Sequence, residues 1–179
     1  MNELQNRIQS CVITDDGEVT LAAHFIQAMT EVVGRMISTN GMVWTYSEGV
    51  WSKEDPESLM AYIQCFDGLA FTRPNGSPAR VKLSHAKVRG IFSSVLVHRE
   101  TLSPDFFDDA KPGVCFRNGF VSIDEIKGKQ RLVLRPHAWE QKATMKIDQD
   151  APKDMVVPRR FIGFLNELFE GDDDAEGKI

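Results

Sequence analysis

The chain has 179 residues, 42% of them hydrophobic and 26% charged, with a formal net charge of -5. That composition allows one domain to bury a core and excludes disorder over most of the length. The longest apolar runs, such as Ile91-Phe92 and Val95-Leu96-Val97, fall well short of the ~20 residues that cross a bilayer, so no transmembrane span is expected.

Residues 1–18 read as an N-terminal leader, polar at first, then Cys11-Val12-Ile13, then the turn Asp15-Asp16-Gly17. Its start has no apolar stretch followed by a small-residue cleavage site, so no signal peptide is expected and the cytoplasm is the default compartment. Leu21, Ala22, Phe25, Met29, Val32, Val33 and Met36 recur at helical spacing, and Asn40-Gly41 follows them, which predicts a helix over about 19–38. Met42–Ser47 and Val50–Ser52 flank Glu48-Gly49, the composition of a short β-hairpin. Its aromatic residues Trp44, Tyr46 and Trp51 offer faces for stacking on bases, although such residues more often cover a core.

Asp55-Pro56-Glu57 opens a helix over about 56–65, with Asp as N-cap and Pro at the first helical position. Arg73-Pro74-Asn75-Gly76-Ser77-Pro78 is a loop, and Ser84 caps a helix over about 84–97. Thr101 to Pro112 is a connection carrying Phe106-Phe107 among Asp105, Asp108 and Asp109. From Gly113 the period changes to two, with Val114 and Phe116 set against Cys115 and Arg117, then Val121, Ile123, Leu132 and Leu134. Ile126-Lys127-Gly128-Lys129-Gln130 forms the tip between two of these strands. Pro158 opens a last helix over about 158–170, in which Phe161, Phe164, Leu165, Leu168 and Phe169 make one apolar stripe, and the acidic stretch 171–179 closes the chain.

The strongest chemical signal is a segment without acids. Between Asp67 and Glu100 stand Arg73, Arg80, Lys82, Lys87, Arg89 and Arg99, and no negative residue, in a chain whose total is -5. Segregation of this kind builds a local positive potential, and the helix opening at Ser84 adds free backbone N–H groups that suit a phosphate. Arg73, Arg80, Lys82, Lys87 and Arg89 are therefore the candidate nucleic-acid contacts; the competing reading is a solvated face that pairs with the acidic remainder or with a partner. Lys127, Lys129 and Arg131 form a second, weaker basic patch.

No other constellation carries chemistry as well. Cys11, Cys65 and Cys115 are isolated, with no Cys-x-x-Cys, and read as buried thiols. His24, His85, His98 and His137 are dispersed and supply no metal motif. Gly171 to Lys178 is a poor phosphate loop, since its glycines are misspaced, Ile179 follows the lysine and three aspartates would repel phosphate. The acids at 108–109 and 172–174 could hold Mg²⁺ but lack a strand-borne Asp-x-Asp beside them. No metal, cofactor or catalytic residue is expected.

Five segments stand in order: Tyr46-Ser47-Glu48-Gly49-Val50-Trp51, Phe116-Arg117-Asn118-Gly119-Phe120-Val121, Leu134-Arg135-Pro136-His137, Lys142-Ala143-Thr144, and Asp150-Ala151-Pro152 before the 161–165 helix. In that order they resemble the module just before the helicase domain in phage, plasmid and poxvirus primase-helicases of helicase superfamily 3, where a similar threonine-bearing strand stands at 142–144. Asn118-Gly119 has its own warrant, as a pair that tolerates positive φ in a tight hairpin turn.

The resemblance implies a non-catalytic piece of a DNA primase-helicase, contributing weak DNA binding, assembly of a hexameric ring or both, without ATPase activity of its own. Its implied partners are DNA, a downstream helicase domain and further copies of itself, in the cytoplasm of a bacterial or phage-infected cell. The expected architecture is a single α+β domain over 19–170, mainly antiparallel sheet from 42–53 and 113–147 with about four helices, and 171–179 as a tail or the start of a linker to an ATPase domain. The alternatives are a stand-alone metal-dependent nucleic-acid enzyme using Asp105, Asp108 and Asp109, or a small phage interaction protein without DNA binding.

Overall fold

A computed structural model describes residues 3–97, 104–126 and 129–152. The first helix, α1 (Glu3–Gln9), buries Leu4 and Ile8, four residues apart and so on one face. Arg7 pairs with Glu31 across the gap to α2 (Glu18–Val32), tying the two helices at the surface. The expected leader is thus part of the core, a correction with a simple origin: a two-residue apolar stripe is too short to register as periodicity, yet it fills a groove once α2 is in place. Asp15 holds the entry to α2, its carboxylate accepting from Gly17 N at 2.7 Å and from the Thr20 hydroxyl at 3.0 Å.

The helix expected to run to 38 stops at Val32, and Arg35–Thr39 is a strand, β1. Gly34 breaks it: φ is +114°, and a Cβ there would lie 2.4 Å from the Tyr46 carbonyl oxygen. Asn40 and Gly41, at φ 51° and 68°, then turn β1 into β2 (Met42–Ser47) instead of closing a helix. A second turn, Glu48-Gly49, leads to β3 (Val50–Lys53), as expected, and the three strands form an antiparallel meander. Met36 and Val43 point into one core with α2, while Trp44 and Tyr46 face the other way.

Asp55 caps α3 (Pro56–Ile63) by accepting from Ser58 N at 2.8 Å, and Ser84 caps α4 (His85–Leu96) by accepting from Lys87 N at 3.2 Å, both as predicted. Between them lies a hairpin that the sequence did not announce, β4 (Ala70–Thr72) with β5 (Pro78–Arg80), three residues each and closed by the expected 73–78 loop. Ile13 adds a bridge beside Phe71. The main core gathers Leu21, Phe25, Met29, Leu59, Ile63 and Ile91 from α2, α3 and α4.

The second sheet has strand order β8-β7-β6-β9, from β6 (Gly113–Phe116), β7 (Gly119–Ile126), β8 (Lys129–Arg135) and β9 (Lys146–Ile147). The β9 strand runs parallel to β6 and the other pairings are antiparallel. The period-two reading holds, but its inner face is the reverse of an apolar-in assignment at β6: Cys115 is buried and Val114 is 44% exposed. No strand forms at 142–144, where Lys142 takes φ 54° and Ala143 offers its carbonyl to Trp51 N at 2.7 Å. The helix expected over 158–170 and the tail at 171–179 lie outside the described residues. With four helices among the described residues and mostly antiparallel sheet, the chain is a single α+β fold. No helix of the described residues is long and apolar enough to cross a membrane.

Aromatic rings fill the space between the two sheets. Trp51 is 1% exposed and lies 5.3 Å from Tyr46, 5.9 Å from Phe106 and 6.3 Å from Phe107, while Trp44 meets Phe107 at 4.5 Å. The faces that the sequence offered to bases are therefore used internally. Tyr46 contributes a ring whose buried hydroxyl has no hydrogen-bond partner among the described residues, and burial pushes its pKa up. Tyr46→Phe should accordingly change stability by no more than about 1 kcal/mol in urea unfolding, because no bond is lost and a desolvated hydroxyl is removed.

Candidate nucleic-acid interface

The five basic candidates all lie on the β4–β5 hairpin, the loop after it and the first turns of α4. Phe71 and Ala79 pair across the hairpin and face the core, so their neighbours face out. Val81 is buried in the extended chain that follows, which sends Arg80 and Lys82, two residues apart, to the same outer side. Arg73 sits at the exposed loop of the hairpin and Arg89 on the exposed side of α4, next to buried Val88.

Tertiary structure brings acids to this segment that the sequence keeps away from it. Lys87 Nζ lies 2.8 Å from Asp16, whose carboxyl is held below its usual range chiefly by that hydrogen bond, with a smaller contribution from Arg73. The Glu18 carboxylate packs over Gly90, where an added Cβ would lie 2.3 Å from it. Asp67 accepts from Leu83 N at 2.8 Å, and Arg80 donates to the Gly68 carbonyl at 2.8 Å. Two of the five candidates are thus engaged in holding the loop and α4 in place. Arg73, Lys82 and Arg89 form no hydrogen bond or ion pair through their side chains with other described residues.

Sequence reasoning missed Asp16, Glu18 and Asp67 as members of this surface. The available signal was the pair Asp15-Asp16 before Gly17, of which Asp15 holds the entry to α2 and Asp16 reaches Lys87. In the second patch, Arg131 lies exposed on β8, whereas Lys127 falls outside the described residues.

The acids of the rival metal site do not converge. Asp109 pairs with Lys142, which also lies over the Phe106 ring at 4.5 Å, and the loop serves to deliver Phe106 and Phe107 between the sheets. Among the described residues, no group of three or more His, Cys, Asp or Glu side chains gathers at metal-binding spacing. The cysteines remain thiols, Cys115 buried with Sγ 3.6 Å from the Gly49 carbonyl and its pKa raised by burial.

The five segments of the resemblance meet at one junction. His137 lies against Gly49, and its Nε2 is 2.8 Å from the Phe116 carbonyl oxygen, which requires the proton on Nε2. Asn118 lies in the β6–β7 turn as expected but keeps a negative φ, and its side chain accepts from Ala151 N at 2.8 Å. Trp51 donates through Nε1 to the Trp139 carbonyl at 3.0 Å, and Lys146 pairs with Glu48 at 2.8 Å. Each contact joins the β1–β3 meander to the second sheet or locks the chain's exit from it, so the junction is structural.

What the geometry defines is an α+β domain with a basic outer edge built on a capped helix and a short hairpin. No family model matches the chain, and no curated protein matches it either.

Proposed function

We propose that the chain is a non-catalytic module of the kind that precedes the helicase domain in superfamily 3 primase-helicases, binding DNA weakly through its basic edge and contributing to assembly of a hexameric ring. The observation that supports DNA contact is the outward grouping of Arg73, Arg80, Lys82 and Arg89 about the capped start of α4. Exposed point charges of this kind suit phosphate contact, which carries no sequence information. Lys87 acts there as a positioning residue through Asp16. The compartment consistent with this role is the cytoplasm of a bacterial or phage-infected cell.

Fluorescence anisotropy with a labelled oligonucleotide tests the proposal. With about three phosphate contacts, log affinity should fall against log salt with a slope of about -3. Reversing Arg73, Lys82 and Arg89 to Glu should abolish binding while the circular dichroism spectrum is retained. Affinity unchanged in that folded triple variant overturns the DNA reading. It would favour the interaction-protein reading. ATP turnover by the purified chain should stay at the level of a buffer blank, because its sequence carries no well-spaced phosphate-loop motif.

A further inference from the structure

Among the described residues, β8 pairs with β7 alone and so forms an open edge of the second sheet. In an antiparallel ladder the backbone N–H and C=O groups of successive residues point to opposite sides of the strand. Phe116 and Gly119 close the two-residue β6–β7 turn as a hydrogen-bonded pair, so Gly119 and Val121 bond to β6 while Phe120, Ser122 and Asp124 turn their groups to β8. The same alternation on the other side of β6 is visible at Arg117, whose N–H donates to the Gln149 carbonyl at 2.9 Å just past β9. Arg135, Val133 and Arg131 stand opposite Phe120, Ser122 and Asp124 and bond to them. Leu132 and Leu134 therefore present their N–H and C=O groups at the outer edge.

The side chains along this edge alternate too. Leu132 and Leu134 share a face with Ile123 and Val121, and Leu134 is 40% exposed. Arg131 and Arg135 lie exposed on the other face, where Arg135 pairs with Asp124 and Arg131 makes no side-chain hydrogen bond or ion pair with another described residue. An open strand edge is a template for a further strand. A second copy fits this one poorly. The two-fold register that sets Leu132 of each copy against Leu134 of the other also sets Arg131 against Arg135 twice, and like charges directly opposite destabilise a sheet. We infer that β8 is the docking edge for an extended segment of a partner protein with the pattern acid, apolar, any residue, apolar, acid. Its apolar residues stand opposite Leu132 and Leu134, and its acids opposite Arg131 and Arg135. The edge contains none of the basic residues to which the DNA reading assigns phosphate contact.

Fluorescence anisotropy of the full chain tests this with the labelled peptide Thr-Glu-Val-Thr-Val-Glu-Thr and with Thr-Val-Glu-Thr-Glu-Val-Thr, which has the same composition in the opposite phase. The first should bind about tenfold more tightly, because only its phase sets acids against the arginines and apolar residues against the leucines. Its addition should slow hydrogen exchange at the Leu132 and Leu134 amides. Leu134→Pro removes an outward donor and leaves the ladder to β7 intact, since proline is tolerated on an edge strand whose N–H faces solvent. That variant should lose peptide binding and keep its circular dichroism spectrum. Arg131→Glu changes an exposed side chain alone, and in it the affinity for the first peptide should fall severalfold and the gap between the peptides should close. Equal affinity for the two peptides, binding of neither, or binding unchanged in the folded variants overturns the inference. A chain that is dimeric by light scattering and becomes monomeric in Leu134→Pro assigns the edge to a second copy, which also overturns it.

Discussion

Trp51→Ala should lower the unfolding free energy by about 3–5 kcal/mol, the range for deleting a fully buried large aromatic side chain. The indole is 1% exposed, contacts Tyr46, Phe106 and Phe107, and donates to the Trp139 carbonyl, so truncation opens a void between the two sheets and removes that donor from a half-buried acceptor. Trp44→Ala is the control. Its ring is only half-buried and meets one partner, Phe107, so its loss should be clearly smaller. Urea unfolding followed by circular dichroism measures both, and equal losses would show that the indole at 51 has no special place in the junction.

The second large effect is a coupling between two positions far apart in sequence. Gly49 has φ +93°, where an L side chain is strained, and an added Cβ would lie 2.6 Å from two ring atoms of His137. Gly49→Ala should therefore cost the backbone strain, roughly 1–2 kcal/mol, plus the displacement of His137 from the Phe116 carbonyl. In a His137→Ala background the ring is gone and only the backbone strain remains. The double variant should then be more stable than the sum of the two single losses allows, by about 1 kcal/mol or more. Strict additivity would mean that Gly49 and His137 do not support one another across the sheets.

Both residues stood in the sequence inside segments that read as motifs, and the reason they do so is packing. Glu48-Gly49 announced a tight turn and Pro136-His137 another, but nothing in either stretch says that one turn rests on the other. The basic edge shows the same limit more sharply. Its charges, the cap at Ser84 and the loop at 73–78 were all legible, because capping and turn chemistry act over three or four residues. The acids facing them were not legible, since Asp16 reaches Lys87 across 71 positions of chain.

By itself the sequence determined the helices with strong caps, the two hairpin-bearing regions, the α+β class and the position of the positive charge, all set by local backbone preference and by apolar period. Only the tertiary structure decided that Leu4 and Ile8 belong to the core and that Met36 and Ile37 lie in a strand and not in a helix. It decided likewise that Trp44 and Trp51 pack against Phe106 and Phe107, and Tyr46 against Trp51, between the two sheets. The physical reason is common to these cases. A short apolar pair or an aromatic face is compatible with several local structures, and its free energy is settled by whichever distant surface removes it from water.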